Sequence, residues 1–440
     1  MTDINIDFTK VTGKIKPMHA VKNGPAGSSV RKGNSTFDYF REAGIPYARN
    51  HDASFYTGYG SEYTVDVHRI FTDFNADPYN PESYDFECTD ECVKNTFSVG
   101  TEVFYRLGSS IEHGKKKGTF PPPDFGKWAV ICEHIIRHYN EGWANGFEYG
   151  IEYWEIWNEP DCTNADGSNP CWQGTQEQFI ELFSVAAKHL KSCFPNLKIG
   201  GPAFSSLRGS LPFARKFFEG ISKNNVPLDF FSFHRYCKTP VEMRTPIDTA
   251  YSLINEFGYP NAELILNEWN YIRGWLGDDW TYSIRSEKGL KGASFIAGCM
   301  AVCQRSELYM LMYYDARPCT MNGMFDTDFL TALKGYYPFK MFNNLYKIGG
   351  EVLCEFEEAP VYCTAATDGE NCGIFVTNFE EDDSSPAVNV NFKINGADGK
   401  KATLYLLDDK NDMNPVATID VKNGFSLEIP LFSTYYIDIK

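Results

Sequence analysis

Between about residues 15 and 340 the chain alternates short apolar runs with longer amphipathic segments, and no other feature limits its fold as strongly. Apolar runs bounded by turn residues read as buried strands, and apolar residues at three- and four-residue intervals read as helices facing a core. Repeated eight times, that alternation closes into a parallel barrel ringed by helices. The strands are expected at 15–20, 45–50, 101–107, 153–157, 197–200, 228–233, 263–266 and 308–314, with helices such as 125–139, 176–193 and 287–304 between them.

After about residue 350 short alternating strands are punctuated by turn signals, Thr367-Asp-Gly-Glu, Asn395-Gly-Ala-Asp-Gly and Lys422-Asn-Gly. This is the texture of a β-sandwich. Ile4-Asn-Ile-Asp-Phe8 also alternates and is expected to add an edge strand there. The chain thus divides into a (β/α)8 barrel over 15–345 and a β-sandwich over 346–440 joined by residues 1–14. No long flexible linker intervenes, so the two are expected to pack tightly. With 440 residues and 43% hydrophobic content, both cores can be filled.

A net charge of −17 argues against nucleic acid, whose binding face needs concentrated Lys and Arg. The one basic run, Lys115-Lys116-Lys117, reads as a solvated loop. No stretch is apolar for long enough to span a membrane. The start lacks a basic and apolar leader, so the chain reads as cytoplasmic; with a leader removed, the same chain would be periplasmic or secreted. Association into a homo-oligomer is left open. Thirteen scattered cysteines fit reduced thiols better than a disulfide frame. Cys88 and Cys92, like Cys299 and Cys303, have helical spacing but no visible further ligand, so burial is their simplest role. Cys162 and Cys171 bracket one loop, and whether they pair cannot be read from spacing.

Two of the strands end alike. Tyr153-Trp-Glu-Ile-Trp-Asn-Glu-Pro-Asp161 is an apolar run that stops at an amide, a carboxylate and a proline. Glu263-Leu-Ile-Leu-Asn-Glu-Trp-Asn270 repeats the pattern. At the C-terminal mouth of a barrel, where such folds carry their active sites, two strand-end glutamates make a carboxylate pair. Hydrolysis of a glycosidic bond with retention needs that pair, one to protonate the leaving oxygen and one to attack the anomeric carbon, about 5–5.5 Å apart.

On these residues the chain resembles the clan A retaining glycoside hydrolases, most closely glycoside hydrolase family 39, which includes β-xylosidases and α-L-iduronidases. The matching motifs are Trp157-Asn158-Glu159-Pro160, Asn267-Glu268-Trp269-Asn270, Arg49-Asn50-His51 and Ser232-Phe233-His234-Arg235-Tyr236. The resemblance implies a TIM barrel in which Glu159 on the fourth strand is the acid/base and Glu268 on the seventh the nucleophile. It also implies that Asn158 hydrogen-bonds the sugar 2-hydroxyl. His234 and Tyr236, two apart, would project together into the mouth, as would Arg49 and His51; Tyr236 could donate to Glu268, and an arginine would help keep it charged.

Asp315 at the last strand could bind a sugar hydroxyl or cap the following turn. Trp269, Trp275 and Trp280 could stack on a pyranose, although most aromatic residues are core. The reading is a retaining exo-glycosidase acting without metal or organic cofactor on a small oligosaccharide or glycoside with a β-linked sugar such as xylose. Its rivals are another glycone, such as galactose or arabinose or a uronic acid met by a cation such as Arg273, and a non-catalytic carbohydrate-binding barrel.

Overall fold

The computed structural model describes residues 2–27, 34–51, 64–112 and 114–440. Strand β1 (Thr2–Lys14) belongs to a separate sheet. The next eight strands close a parallel barrel in chain order: β2 (Ala20–Lys22), β3 (Tyr47–Asn50), β4 (Glu102–Leu107), β5 (Tyr153–Ile156), β6 (Lys198–Phe204), β7 (Phe230–Cys237), β8 (Glu263–Tyr271) and β9 (Leu308–Tyr313). The barrel is not hollow. Ala20, Phe104, Tyr153, Phe230, Ile265, Met310 and Met312 point inward and form a plug, with Phe104 and Tyr153 stacked at 5.4 Å. Polar side chains therefore find room only above this layer, toward the C-terminal ends of the strands.

Three details differ from the expectations. The first barrel strand is 20–22 rather than 15–20, because the chain at 15–17 is tied to the outer layer instead: Ile15 N donates to Gly349 O at 2.7 Å and Lys16 Nζ to Ser306 O at 2.7 Å. Pro17 has no amide to give a ladder. The helix read over 287–304 is two, Gly277–Glu287 and Leu290–Gln304, broken where Gly289 is extended. The second is buried on every side from Lys291 to Gln304, wedged between barrel and second sheet; an all-round apolar helix has no stripe to mark its ends.

The third concerns β1. The strands β10 (Gly350–Glu355), β11 (Val361–Thr367), β12 (Cys372–Asn378), β13 (Val388–Asn395), β14 (Lys401–Leu407), β15 (Asp412–Asp420), β16 (Gly424–Ile429) and β17 (Thr434–Ile439) form with β1 a nine-stranded curled sheet, the β-sandwich, ordered β15-β14-β17-β12-β11-β10-β1-β13-β16. β1 is interior rather than an edge, antiparallel to β10 and parallel to β13. Its Ile4, Ile6 and Phe8 enter the sandwich core beside Val390 and Phe392. The sandwich docks on the barrel through apolar packing, with Phe295 against Phe379 and Phe342 against Phe375, and through polar contacts such as Ser294 Oγ to Asn378 O at 2.9 Å and Lys291 Nζ to Asp383 at 2.8 Å. Among the described residues no helix is long and apolar enough to cross a membrane.

The end of β5 is bent. Trp157 has φ 76° and Glu159 φ 47°, a left-handed conformation that costs side-chain-bearing residues on the order of 1–3 kcal/mol each and persists only where its surroundings hold it. Trp157 N donates to Leu107 O at 2.6 Å and Glu159 N to Ala203 O at 2.9 Å. Gly108, at φ 134°, lets the neighbouring strand approach: a Cβ there would lie 3.0 Å from both the Cα and the ring of Trp157. Gly108→Ala should therefore destabilise the fold by about 1–3 kcal/mol, read as a lowered thermal midpoint with a changed Trp fluorescence spectrum.

Candidate active site

The mouth is set by a slip in strand register. Leu266 pairs with Phe233 and Glu268 with His234, which leaves Asn267 as an extra residue in β8. Such a bulge re-aims side chains. Asn267 and Glu268 both turn inward: Asn267 Nδ2 donates to Glu155 Oε1 at 2.5 Å, while Glu268 reaches the mouth.

Each oxygen of Glu268 is held by its own donor. Tyr236 Oη donates to Oε1 at 2.6 Å and Lys22 Nζ to Oε2 at 2.7 Å, with Arg49 Nη1 at 3.6 Å and His234 Nδ1 at 3.8 Å from the same Oε2. Burial alone would push this carboxyl up, but the facing His234, Lys22 and Arg49 outweigh it and hold the group down at about 2. Burial and the Glu268 charge keep the Tyr236 phenol well above its usual range, so it remains a donor.

Glu159 has the opposite environment. Burial raises its carboxyl above the ordinary range and the Glu268 charge adds to that, against the pull of His234, whose Nδ1 lies 2.7 Å from Glu159 Oε1. A Glu159 oxygen, a Glu268 oxygen and a His234 ring nitrogen all lie within 4.8 Å of one another. Trp157, below Glu159, fixes the turn by donating its indole N–H to Cys171 O at 3.0 Å.

A polar layer beneath joins these groups. Arg49 donates from Nε to Glu155 Oε2 and from Nη2 to Asn158 Oδ1, both at 2.7 Å, and Glu155 also accepts from Ser232 Oγ at 2.6 Å. With its carbonyl oxygen bonded, Asn158 has its amide N–H left to offer a ligand. His51 Nδ1 accepts from Arg106 Nε at 2.8 Å, so its proton sits on Nε2. Burial and the cations Lys22, Arg106 and Arg49 keep that imidazole neutral, well below its ordinary value. Asp315 is fully buried, accepting from Asn23 Nδ2 at 3.0 Å and from the Arg317 amide at 2.7 Å; it braces this layer and caps its own turn.

The tryptophans divide. Trp275 is 55% exposed, stacks on Trp280 at 5.9 Å and abuts Tyr236 at 5.0 Å, so it stands at the rim. Trp269 does not reach the mouth. Following Glu268 along the strand, it points outward and is fully buried against Phe295 and Tyr313. Arg273 pairs with Asp279 at 3.1 Å and lies over the Tyr282 ring, away from Glu268 and Glu159.

Sequence reasoning passed over Lys22, Asn23, Glu155 and Arg106. Glu155 and Arg106 were visible as charged residues inside apolar strands, positions that a core tolerates only when they are paired. Lys22 ends β2 and Asn23 follows it, and an expected strand that stopped at residue 20 hid them. The cysteines at helical spacing are buried or half-buried thiols: Cys299 and Cys303 are fully buried, Cys88 and Cys92 half-buried, and all thirteen cysteines are free.

Residues 64–250 match the model of glycosyl hydrolases family 39. The chain resembles that family. Among curated relatives, a β-xylosidase of Geobacillus stearothermophilus is 26% identical over 234 residues, which are 46% of this chain and 44% of the relative. A β-xylosidase of Caldicellulosiruptor saccharolyticus is 28% identical over 39% of this chain and 33% of its own length. The matched stretch thus spans less than half of either relative. Solved folds align over the whole chain: a glucosidase from Croceicoccus marinus with a TM-score of 0.81 at 20% identity, covering 99% of that chain, and a monomeric β-xylosidase from Caulobacter crescentus CB15 with 0.72 at 14% identity, also covering 99%. Barrel plus β-sandwich, the fold of these solved structures, is therefore the fold of this chain.

Because folding raises the Glu159 carboxyl, its charged form is penalised in the folded state, and the penalty is absent below the unfolded pKa and grows as pH rises through the folded one. Glu159→Gln should raise the thermal midpoint at pH 8 and leave it unchanged at pH 4. Equal midpoints at pH 8 would remove the buried-acid assignment.

Proposed function

We propose that this protein is a retaining exo-glycosidase that hydrolyses β-linked sugars, xylose foremost, through a covalent glycosyl-enzyme intermediate. The observation that carries the reading is a pair of carboxylates with oxygens within 4.8 Å at one barrel mouth, one pushed up and one held at about 2. That separation suits direct attack and leaves no room for the interposed water of an inverting site. The β-xylosidases among the relatives support the glycone.

In the first step protonated Glu159 gives its proton to the glycosidic oxygen while ionised Glu268 attacks the anomeric carbon from the opposite face. The leaving group departs with Glu159's proton. Glu159, now a carboxylate beside His234, then takes a proton from water as that water attacks the anomeric carbon and releases Glu268. Asn158, its carbonyl oxygen engaged by Arg49, donates to the sugar 2-hydroxyl as positive charge develops on the ring. Lys22, Arg49 and Tyr236 stabilise the nucleophile's charge, which favours its departure in the second step. Trp275 offers an apolar face to the substrate at the rim.

Aryl glycosides with product configuration followed by NMR test both the glycone and the mechanism: β-xylosides should turn over with retention, and inversion would refute the reading. Glu268→Gly should abolish turnover, with azide restoring product of inverted configuration. Glu159→Ala should lose about 10²–10⁴-fold on poor leaving groups and far less on activated ones; equal losses on both would remove Glu159 as the acid.

A further inference from the structure

The turn that carries Glu159 also brings two thiols against it. A Glu159 carboxylate oxygen, Cys162 Sγ and Cys171 Sγ all lie within 4.8 Å of one another. Cys171 is fully buried, with Sγ donating to Glu159 Oε2 at 3.8 Å, and Cys162 is half-buried. The reaction proposed above uses neither thiol.

Their spacing is set by backbone bonds. Cys162 N donates to Glu159 O at 3.1 Å. Asn169 Oδ1 accepts from the amides of Cys171 at 2.8 Å and Trp172 at 2.9 Å, and Asn169 Nδ2 donates to Pro160 O at 2.8 Å. The far end of the loop is thereby tied back to the turn that holds Glu159. In a tetrahedral zinc site, with Zn–S near 2.3 Å and Zn–O near 2.1 Å, neighbouring donor atoms stand roughly 3.5–4 Å apart. Small side-chain rotations bring these three donors to that spacing.

We propose that Glu159, Cys162 and Cys171 form a site for a thiophilic divalent cation of the zinc class, with water as the fourth ligand, and that filling it stops turnover. Two thiolates and a carboxylate are a donor set such ions accept. The ion binds in place of the two thiol protons and the Glu159 carboxyl proton, all of which pass to solvent, and it holds Glu159 as an ionised ligand unable to protonate a leaving group. The inhibition rests on Glu159 being the acid/base; the binding does not.

Of the two other clusters among the described residues, Glu159 with His234 and Glu268 has no thiol and can give no thiolate band, and the second is Glu133, His189 and Cys193. There Glu133 is already engaged by Arg137 at 2.8 Å and by His189 at 2.6 Å, far along the outer helices. Replacing Cys193 by Ser removes it from the experiment.

Cadmium is titrated into the full-length Cys193→Ser protein, kept reduced with a phosphine, and followed by the ultraviolet thiolate-to-cadmium band and by the hydrolysis rate relative to each protein's own metal-free rate. The band should saturate as the rate falls by about 100-fold or more, the scale of losing a general acid, and a chelator should reverse both. Adding Cys162→Ser should remove most of the band and the inhibition. A band unchanged by Cys162→Ser overturns the site, and a saturated Cys162-dependent band with an undiminished rate overturns the inhibition. If Cys162→Ser does not fold, protection of Cys162 from iodoacetamide by cadmium in the parent protein supports the site, and unchanged alkylation overturns it. A protein without glycosidase activity that still shows the Cys162-dependent band would refute the functional reading and leave the cation site standing.

Discussion

The contact between Arg49 and two buried carboxylates holds the centre of this molecule together. Its guanidinium lies 2.6 Å from Glu155 and 3.6 Å from Glu268 at its different nitrogens, with all three groups largely removed from water. A buried carboxylate without a partner would take up a proton, and removing one member of such a pair typically costs about 3–5 kcal/mol. With Lys22 alongside, the cations allow one glutamate to remain charged in the barrel. Glu159, close enough to Glu268 to feel that charge and without a lysine or arginine of its own among the described residues, is pushed toward the protonated form. The division of labour between the two carboxylates is thus an electrostatic consequence of where the cations sit.

That electrostatic layer depends on what lies beneath and beside it. The aromatic plug of Phe104, Tyr153 and Phe230 closes the barrel below and leaves the polar residues only one direction in which to meet water. The bent end of β5 and the bulge in β8 then aim Glu159 and Glu268 across the mouth. Both are departures from ideal strand geometry, and both sit where the proposed chemistry requires a side chain that a regular strand would direct elsewhere.

Much of this was legible in the amino-acid order. The eightfold alternation carried the barrel, and the endings Trp157-Asn158-Glu159-Pro160 and Asn267-Glu268 marked two strand tips that meet in space. What escaped depended on parity and partners. Trp269 read as a rim aromatic because strand alternation was not tied to a register; beyond the bulge, the residue after Glu268 turns away from the mouth. Lys22 escaped because a short strand, preceded by Pro17 and anchored at Ile15, begins later than its apolar residues suggest. Arg106 and Glu155 are local anomalies whose meaning appears only with His51 and Arg49, drawn from other strands. The neighbours of β1 lie more than three hundred residues away, and alternation within five residues could not say whether it would be an edge.

That last placement governs how the chain can be assembled and divided. Residues 2–7 sit in parallel register with 390–395, while the other side of β1 is bonded to residues 350–355. The two halves of the sandwich are therefore joined across a segment made more than three hundred residues before its partners, which must wait for them. During synthesis all eight barrel strands are made before the sandwich strands that follow them. A C-terminal fragment cut away from its N-terminus would keep two unpaired strand borders open to association with other chains, so this sheet is a clasp around the polypeptide and not a module that can be transplanted.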